Sequence, residues 1–96
     1  MKYSKLYKKF TKKIDEPHEK IIFNIFLILT FTGIYKLLDI IDNNSFSERL
    51  DLYNAFYFSS ITNFTLGYGD ILPKTKIAKM FVILHSAIFW IVAIII

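Results

Sequence analysis

The residues most able to do chemistry in this 96-residue chain form the string TLGYGD at positions 65–70. The string lies between two apolar stretches, each long enough to cross a membrane. Irregular backbone at that depth is tolerated only where protein buries it or where it lines a water-filled path. Gly67 and Gly69 permit left-handed φ angles, which let successive carbonyl groups turn toward one axis. A ring of such carbonyls from several copies can replace the water around a bare cation, so the string predicts an ion-selectivity filter.

The TLGYGD string resembles the TVGYGD signature of potassium channels, with Leu66 in the position of the valine. Roughly residues 17–96 resemble, more narrowly, the miniature potassium channels that large viruses of algae carry. The segments that match this group are IYK at 34–36, YGDILPK at 68–74, AK at 78–79 and His85. The resemblance implies an ion channel, not an enzyme, assembled as a homotetramer of two-span subunits.

The resemblance also assigns the filter residue by residue. Backbone carbonyls would form stacked K⁺ sites, and the Thr65 hydroxyl would close the innermost one. The Tyr68 ring would point away from the pore and pack against aromatic side chains of the preceding helix. K⁺ is the permeant ion, and no cofactor, small-molecule substrate or nucleic-acid partner is expected. The ion-binding residues are Thr65, Leu66, Gly67, Tyr68 and Gly69, with K⁺ at the carbonyls of Thr65, Leu66, Gly67 and Tyr68.

The residues around the string depart from the usual pattern. Many related channels carry a tryptophan pair where Tyr57 and Phe58 stand, and some carry a glutamate in place of Ile61. We therefore expect the Tyr57 hydroxyl, or water, to bind Asp70, and Thr62, packing and water to support the filter. Asp70 would also add one carboxylate per subunit to the outer mouth, which raises the local cation concentration. A role for Asp70 in capping the loop fits equally well.

Four segments of a pore domain at residues 17–96 position the string. Residues 21–38 are an apolar span of about 27 Å, and residues 77–96 are a second span of about 30 Å. A polar turret at residues 39–49 links the first span to residues 50–62, which are too short to cross a membrane and predict a re-entrant pore helix. The negative end of that helix would favour a cation. The sequence thus predicts an all-α membrane protein with two transmembrane helices, a re-entrant pore helix and a filter loop, assembled as a tetramer.

Residues 1–16 are rich in lysine and place apolar or aromatic side chains at near-helical spacing. This pattern predicts a basic amphipathic helix at the cytoplasmic membrane surface, and a disordered lysine tail that only sets topology is the alternative. The basic start, together with a filter at the outer face, predicts that both termini are cytoplasmic. The chain has no cysteine, which excludes disulfides and thiol metal sites.

Four residues of the second span are candidates for a gate or the inner mouth. His85 lies midway along the span, where an ionisable group is a functional hypothesis by default. A neutral histidine bonded to a neighbouring helix and a pH sensor both remain open. Ser86 could bond the carbonyl four residues earlier and bend the helix. The four candidates are Phe89, Trp90, His85 and Ser86.

Taken together, the sequence predicts a potassium-channel pore subunit in a lipid bilayer. The expected location is a host cell membrane or the internal membrane of a virion, where K⁺ conduction would depolarise the host. Two other functions stay open. The chain could be a non-conducting subunit that enters host potassium channels and silences them. It could also be a holin-like unselective pore, which would not need the TLGYGD string.

Overall fold

Three α-helices form the framework of residues 17–95, the part of the chain that the computed structural model describes. Helix α1 is Pro17–Ile41, α2 is Leu52–Asn63 and α3 is Lys76–Ile95. Two of the helices are long and apolar enough to cross a membrane, over Glu19–Ile41 and Lys76–Ile94. The 12 residues of α2 reach only about 18 Å. The predicted fold class, two span-length helices around a short middle helix, is confirmed. The basic helix predicted at residues 1–16 lies outside the described residues.

Helix α1 begins four residues before the predicted span and ends three residues after it. Pro17 is the first helical residue, a position where its missing N–H is no loss because that group has no intrahelical partner. Glu19 lies in the first turn, where a negative charge complements the helix dipole. The proline therefore starts the helix.

Side-chain caps fix the starts of the other two helices. Asp51 has extended backbone, and its Oδ1 accepts a hydrogen bond from the Asn54 N–H at 2.7 Å, so it is the N-cap of α2. Thr75 Oγ1 accepts from the Ala78 N–H at 3.1 Å at the start of α3. Each cap satisfies a backbone donor that the helix itself leaves free.

Ser47 joins the loop after α1 to the segment that follows the TLGYGD string. Its N–H donates to the Leu72 carbonyl at 2.8 Å, and its Oγ accepts from the Leu72 N–H at 2.9 Å. The Lys74 N–H donates to the Ser45 carbonyl at 2.7 Å, around an antiparallel bridge between Phe46 and Pro73. This pairing holds the two loops together beside the C-terminal end of the string.

The core lies where α1 packs on α2 and is centred on aromatic rings. Tyr35 is fully buried, with its ring centroid 5.0 Å from that of Phe58 and 5.8 Å from that of Phe46, both in edge-to-face geometry. Such pairs add about 0.5–1.5 kcal/mol beyond area burial. This packing fixes the position of α2 against α1. It therefore also fixes the position at which the string begins.

A buried carboxylate anchors the end of α1. Asp39 is fully buried, and both of its oxygens lie 3.2 Å from Arg49 Nε. Lys36 Nζ lies 3.9 Å from Asp39 Oδ2 and donates to the Leu50 carbonyl at 2.7 Å. The two cations offset the cost of burying the carboxylate and tie the loop before α2 to α1.

Both long helices also carry large apolar side chains that are exposed in the single chain. On α3, Ile77, Met80, Ile83 and Ile94 are each at least 60% exposed. Such faces are stable only against lipid or another protein surface. The outer faces of α1 and α3 are therefore built for a membrane or for other copies of the chain.

Candidate functional site

Helix α2 ends in a Schellman motif that leads directly into the TLGYGD string. The Leu66 N–H donates to the Ile61 carbonyl at 2.8 Å, and the Thr65 N–H donates to the Thr62 carbonyl at 3.1 Å. The residue after the cap in this motif takes a left-handed conformation and is usually glycine. Here it is Thr65, with φ 57°. A left-handed conformation costs an L-residue about 1–2 kcal/mol, so the entry to the string is strained.

Left-handed φ angles recur at every second residue of the string. Thr65, Gly67 and Gly69 have φ of 57°, 55° and 83°, whereas Leu66 and Tyr68 between them do not have positive φ. When left- and right-handed residues alternate, successive N–H groups gather on one side of the chain. We therefore expect their carbonyls to lie on the other side, the arrangement that a ring of cation ligands requires.

The two glycines of the string are required by conformation rather than by space. A Cβ added to Gly67 or Gly69 would meet no atom within 4 Å in the single chain. Both residues nevertheless have positive φ, which L side chains resist.

The string is exposed when one chain stands alone. Leu66 is 55% exposed and Tyr68 is 68% exposed. Within one chain, Tyr68 therefore makes little of the packing predicted against the aromatic side chains of α2. Tyr53 on α2 is likewise 78% exposed. If these rings meet, they must do so between copies.

Asp70 is held by the side chain that the sequence suggests. The Tyr57 hydroxyl donates to Asp70 Oδ2 at 2.7 Å, and Asp70 Oδ1 accepts from the Ile71 N–H at 3.1 Å. The hydrogen bond to Asp70 raises the pKa of Tyr57 to about 12. Because the raised pKa favours the protonated hydroxyl, the bond persists through neutral and mildly alkaline pH and is lost only as the pH rises through that value.

A cavity of about 200 Å³ lies between the string and α3. Thr62, which is 8% exposed, lines it beside the apolar wall that Ile61 supplies. The lining is mostly apolar, with Thr62, Thr65 and Ser86 as its polar side chains. Support of the string by Thr62, packing and water stays a prediction.

A family model described as an ion channel matches residues 22–96. The chain belongs to this ion-channel family. It is an integral membrane protein with a potassium-channel pore domain, and it is not an enzyme.

Relatives of this channel are named as potassium channels. It is 35% identical to the "Potassium channel protein kcv" of Paramecium bursaria Chlorella virus 1 over 80 residues, which are 77% of this chain and 85% of the relative. It is 34% identical to a "Hyperpolarization-activated voltage-gated potassium channel" of Methanocaldococcus jannaschii over 83% of this chain but only 37% of that protein. The "Voltage-gated potassium channel Kch" of Escherichia coli is 41% identical over 59 residues, 14% of its length. A search of solved structures gave no significant match. The resemblance to viral potassium channels is confirmed.

The candidates for the inner mouth of the channel divide into two groups. Trp90 is half exposed, and the Phe89 ring lies 5.6 Å from it and 6.3 Å from Phe64, just before the string. Ser86, by contrast, lines the cavity behind the string. His85 is fully buried. His85 therefore packs among the helices and Ser86 lies beside the string, and a role for any of the four residues in a gate or the inner mouth stays a prediction.

Two buried side chains, one on each neighbouring helix, surround His85. Tyr35 Oη lies 2.9 Å from His85 Nδ1, and Asn63 Oδ1 lies 3.1 Å from His85 Nε2. His85 thus bonds side chains of both neighbouring helices, and a role for it as a pH sensor stays open. The signal for Asn63 was its amide at the end of α2, two residues before the string.

Proposed function

We propose that this chain is the pore subunit of a homotetrameric, K⁺-selective channel with both termini in the cytoplasm. The observation that carries the proposal is the left-handed φ at Thr65, Gly67 and Gly69, directly after the C-terminus of α2. In the proposed channel, carbonyls of residues 65–68 bind K⁺ in place of water. The names of the relatives support potassium as the permeant ion.

Fourfold assembly is proposed because one chain cannot enclose a pore. A single copy supplies one re-entrant helix and one string, and the string is exposed on that copy. Closed cyclic symmetry brings identical strings around one axis and covers backbone that lipid would leave unsatisfied. The exposed apolar side chains of α3 supply surface for contacts between copies.

The proposed location is a host cell membrane or a virion's internal membrane, with depolarisation of the host as the result. The similarity to a channel protein of a Chlorella virus supports this setting. A test is to express the chain in host cells and measure the membrane potential with and without external K⁺.

The decisive experiment for the channel itself is planar-bilayer recording of purified protein under opposed K⁺ and Na⁺ gradients. The proposal expects a reversal potential close to that of K⁺, block by barium and a ladder of four bands after chemical cross-linking. Unselective leak would support a holin-like pore instead. Silence of the pure protein, combined with loss of host potassium current on co-expression, would support a silencing subunit.

A further inference from the structure

A chain of hydrogen bonds between side chains connects all three helices behind the string. Tyr35 of α1 bonds His85 of α3, which bonds Asn63 of α2, at 2.9 and 3.1 Å. Asn63 Nδ2 donates to Asn24 Oδ1 at 3.0 Å, back on α1. Asn24 Nδ2 then donates to the Lys20 carbonyl at 2.9 Å. We refer to Tyr35, His85, Asn63 and Asn24 as the relay.

The Lys20 carbonyl fixes the direction of the whole relay, because a carbonyl can only accept. Asn24 must donate to it, so the Asn24 oxygen accepts from the Asn63 amide nitrogen. The Asn63 oxygen then accepts from His85 Nε2–H, which leaves Nδ1 to accept the hydroxyl proton of Tyr35. Every member has its partner in one consistent order, and the described residues include no buried side-chain polar atom without a hydrogen bond.

The relay is built into the interior rather than placed on a surface. Tyr35, His85 and Asn63 are each 0% exposed, and only Asn24 at the far end is half-buried. The imidazole of His85 stacks on Phe31, with centroids 4.1 Å apart and planes 11° from parallel. Buried polar networks that are fully satisfied rigidify the elements they join, and one missing member leaves its neighbours unpaired.

The relay reaches the string through Asn63. That residue is the last of α2, and only Phe64 separates it from Thr65, the strained left-handed residue at the inner end of the string. Because the peptide geometry at Thr65 follows from the last turn of α2, any rotation of Asn63 would change where the inner carbonyls point. Both long helices therefore control that turn through one amide side chain.

We propose that Tyr35, His85 and Asn63 are positioning residues for the inner end of the filter, holding the last turn of α2 so that the innermost carbonyls keep the geometry that excludes Na⁺. The inference rests on the proposed function. It adds that ion selectivity depends on a polar contact between the helices, located behind the filter.

The test compares two variants that each remove one buried hydroxyl that bonds a neighbouring helix. Tyr35→Phe breaks the relay at its first bond. Ser59→Ala removes the 2.7 Å bond from Ser59 Oγ to the Ile28 carbonyl, which also joins α2 to α1 but lies one turn before Asn63 and outside the relay. Single-channel recording in bilayers gives the K⁺/Na⁺ permeability ratio of each, independently of how much protein assembles.

We expect Tyr35→Phe to lower the permeability ratio about tenfold, equivalent to about 1.4 kcal/mol. Ser59→Ala should lower thermal stability and leave the ratio at the wild-type value. If Tyr35→Phe does not assemble, Asn24→Ala, at the half-buried end of the relay, provides the same test. His85→Gln, which keeps one donor and one acceptor, should retain more selectivity than His85→Leu.

A wild-type ratio in both Tyr35→Phe and Asn24→Ala would overturn the inference while leaving the proposed channel function intact. An equal loss of selectivity in Ser59→Ala would also overturn it, because helix packing in general would then explain the effect. If the wild-type protein itself carries no K⁺-selective current, the proposed function fails first, and the two failures are thereby distinguished.

Discussion

Replacing Gly67 by alanine tests the backbone geometry on which the channel proposal depends. Gly67 has φ 55°, and a Cβ at this position would meet no atom within 4 Å. The cost of Gly67→Ala therefore comes from conformation, about 1–2 kcal/mol for each chain. In a tetramer four such residues surround one axis, so the total reaches about 4–8 kcal/mol. A rotation to negative φ relieves this strain, but it also turns the adjoining peptide and removes a carbonyl from the ring.

We expect Gly67→Ala to abolish K⁺ current in bilayer recordings while cross-linking still detects tetramers. The matched control is Gly33→Ala on α1, where an added Cβ also meets nothing within 4 Å and φ is not positive. Alanine is better in a helix by about 0.8–1 kcal/mol, so this variant should conduct normally and be slightly more stable. Selective current of wild-type size in Gly67→Ala would refute the filter geometry.

A mirror-image residue separates conformation from space at the same position. D-Alanine favours positive φ and adds the same methyl group, and a chain of 96 residues is accessible to chemical ligation. If φ is what matters, the D-alanine channel should conduct where the L-alanine channel does not. Equal failure of both would show that neighbouring copies leave no room for a Cβ, and the strain argument would then be wrong.

Three further substitutions have distinct expected results. Tyr57→Phe removes the 2.7 Å hydrogen bond to Asp70 and should shorten the periods of K⁺ conduction in single-channel records; unchanged conduction and selectivity would contradict a role for this contact. Asp51→Ala removes the N-cap of α2 and should lower the free energy of unfolding by about 0.5–2 kcal/mol in detergent melts, with no change in ion selectivity. Arg49→Ala leaves the buried Asp39 without its nearest cation. Because Arg49 is itself mostly exposed, the free energy of unfolding in detergent melts should fall by about 1–2 kcal/mol. Arg49→Lys should recover part of that loss.

The loop pairing around Ser47 and the bond from Tyr57 to Asp70 act on the same segment of the chain. Ser47 binds the backbone of Leu72 through two hydrogen bonds, while Tyr57 binds the carboxylate two residues earlier. The C-terminal end of the string is therefore held from the loop before α2 and from α2 itself. Its N-terminal end is held by the Schellman motif and, in our inference, by the relay.

The sequence by itself determined the two spans, the short helix between them and the position of the string. These features depend on local properties: the length of an apolar stretch, the caps at helix starts and the left-handed conformation that Gly67 and Gly69 allow. Helix bounds still differed by a few residues. The first long helix begins at Pro17, four residues before the predicted span, since proline is tolerated in a first helical turn.

Tertiary structure alone decided which polar side chains meet. His85 and Ser86 are adjacent in sequence, yet one is buried between three helices and the other lines the cavity behind the string. Which face of a helix meets which neighbour depends on how the helices cross, and periodicity within one helix does not contain that information. The partners Tyr35 and Asn63 lie 50 and 22 residues from His85, so their contacts arise only when the helices pack. The left-handed Thr65 has the same origin, because a β-branched residue adopts that conformation only where the surrounding fold imposes it.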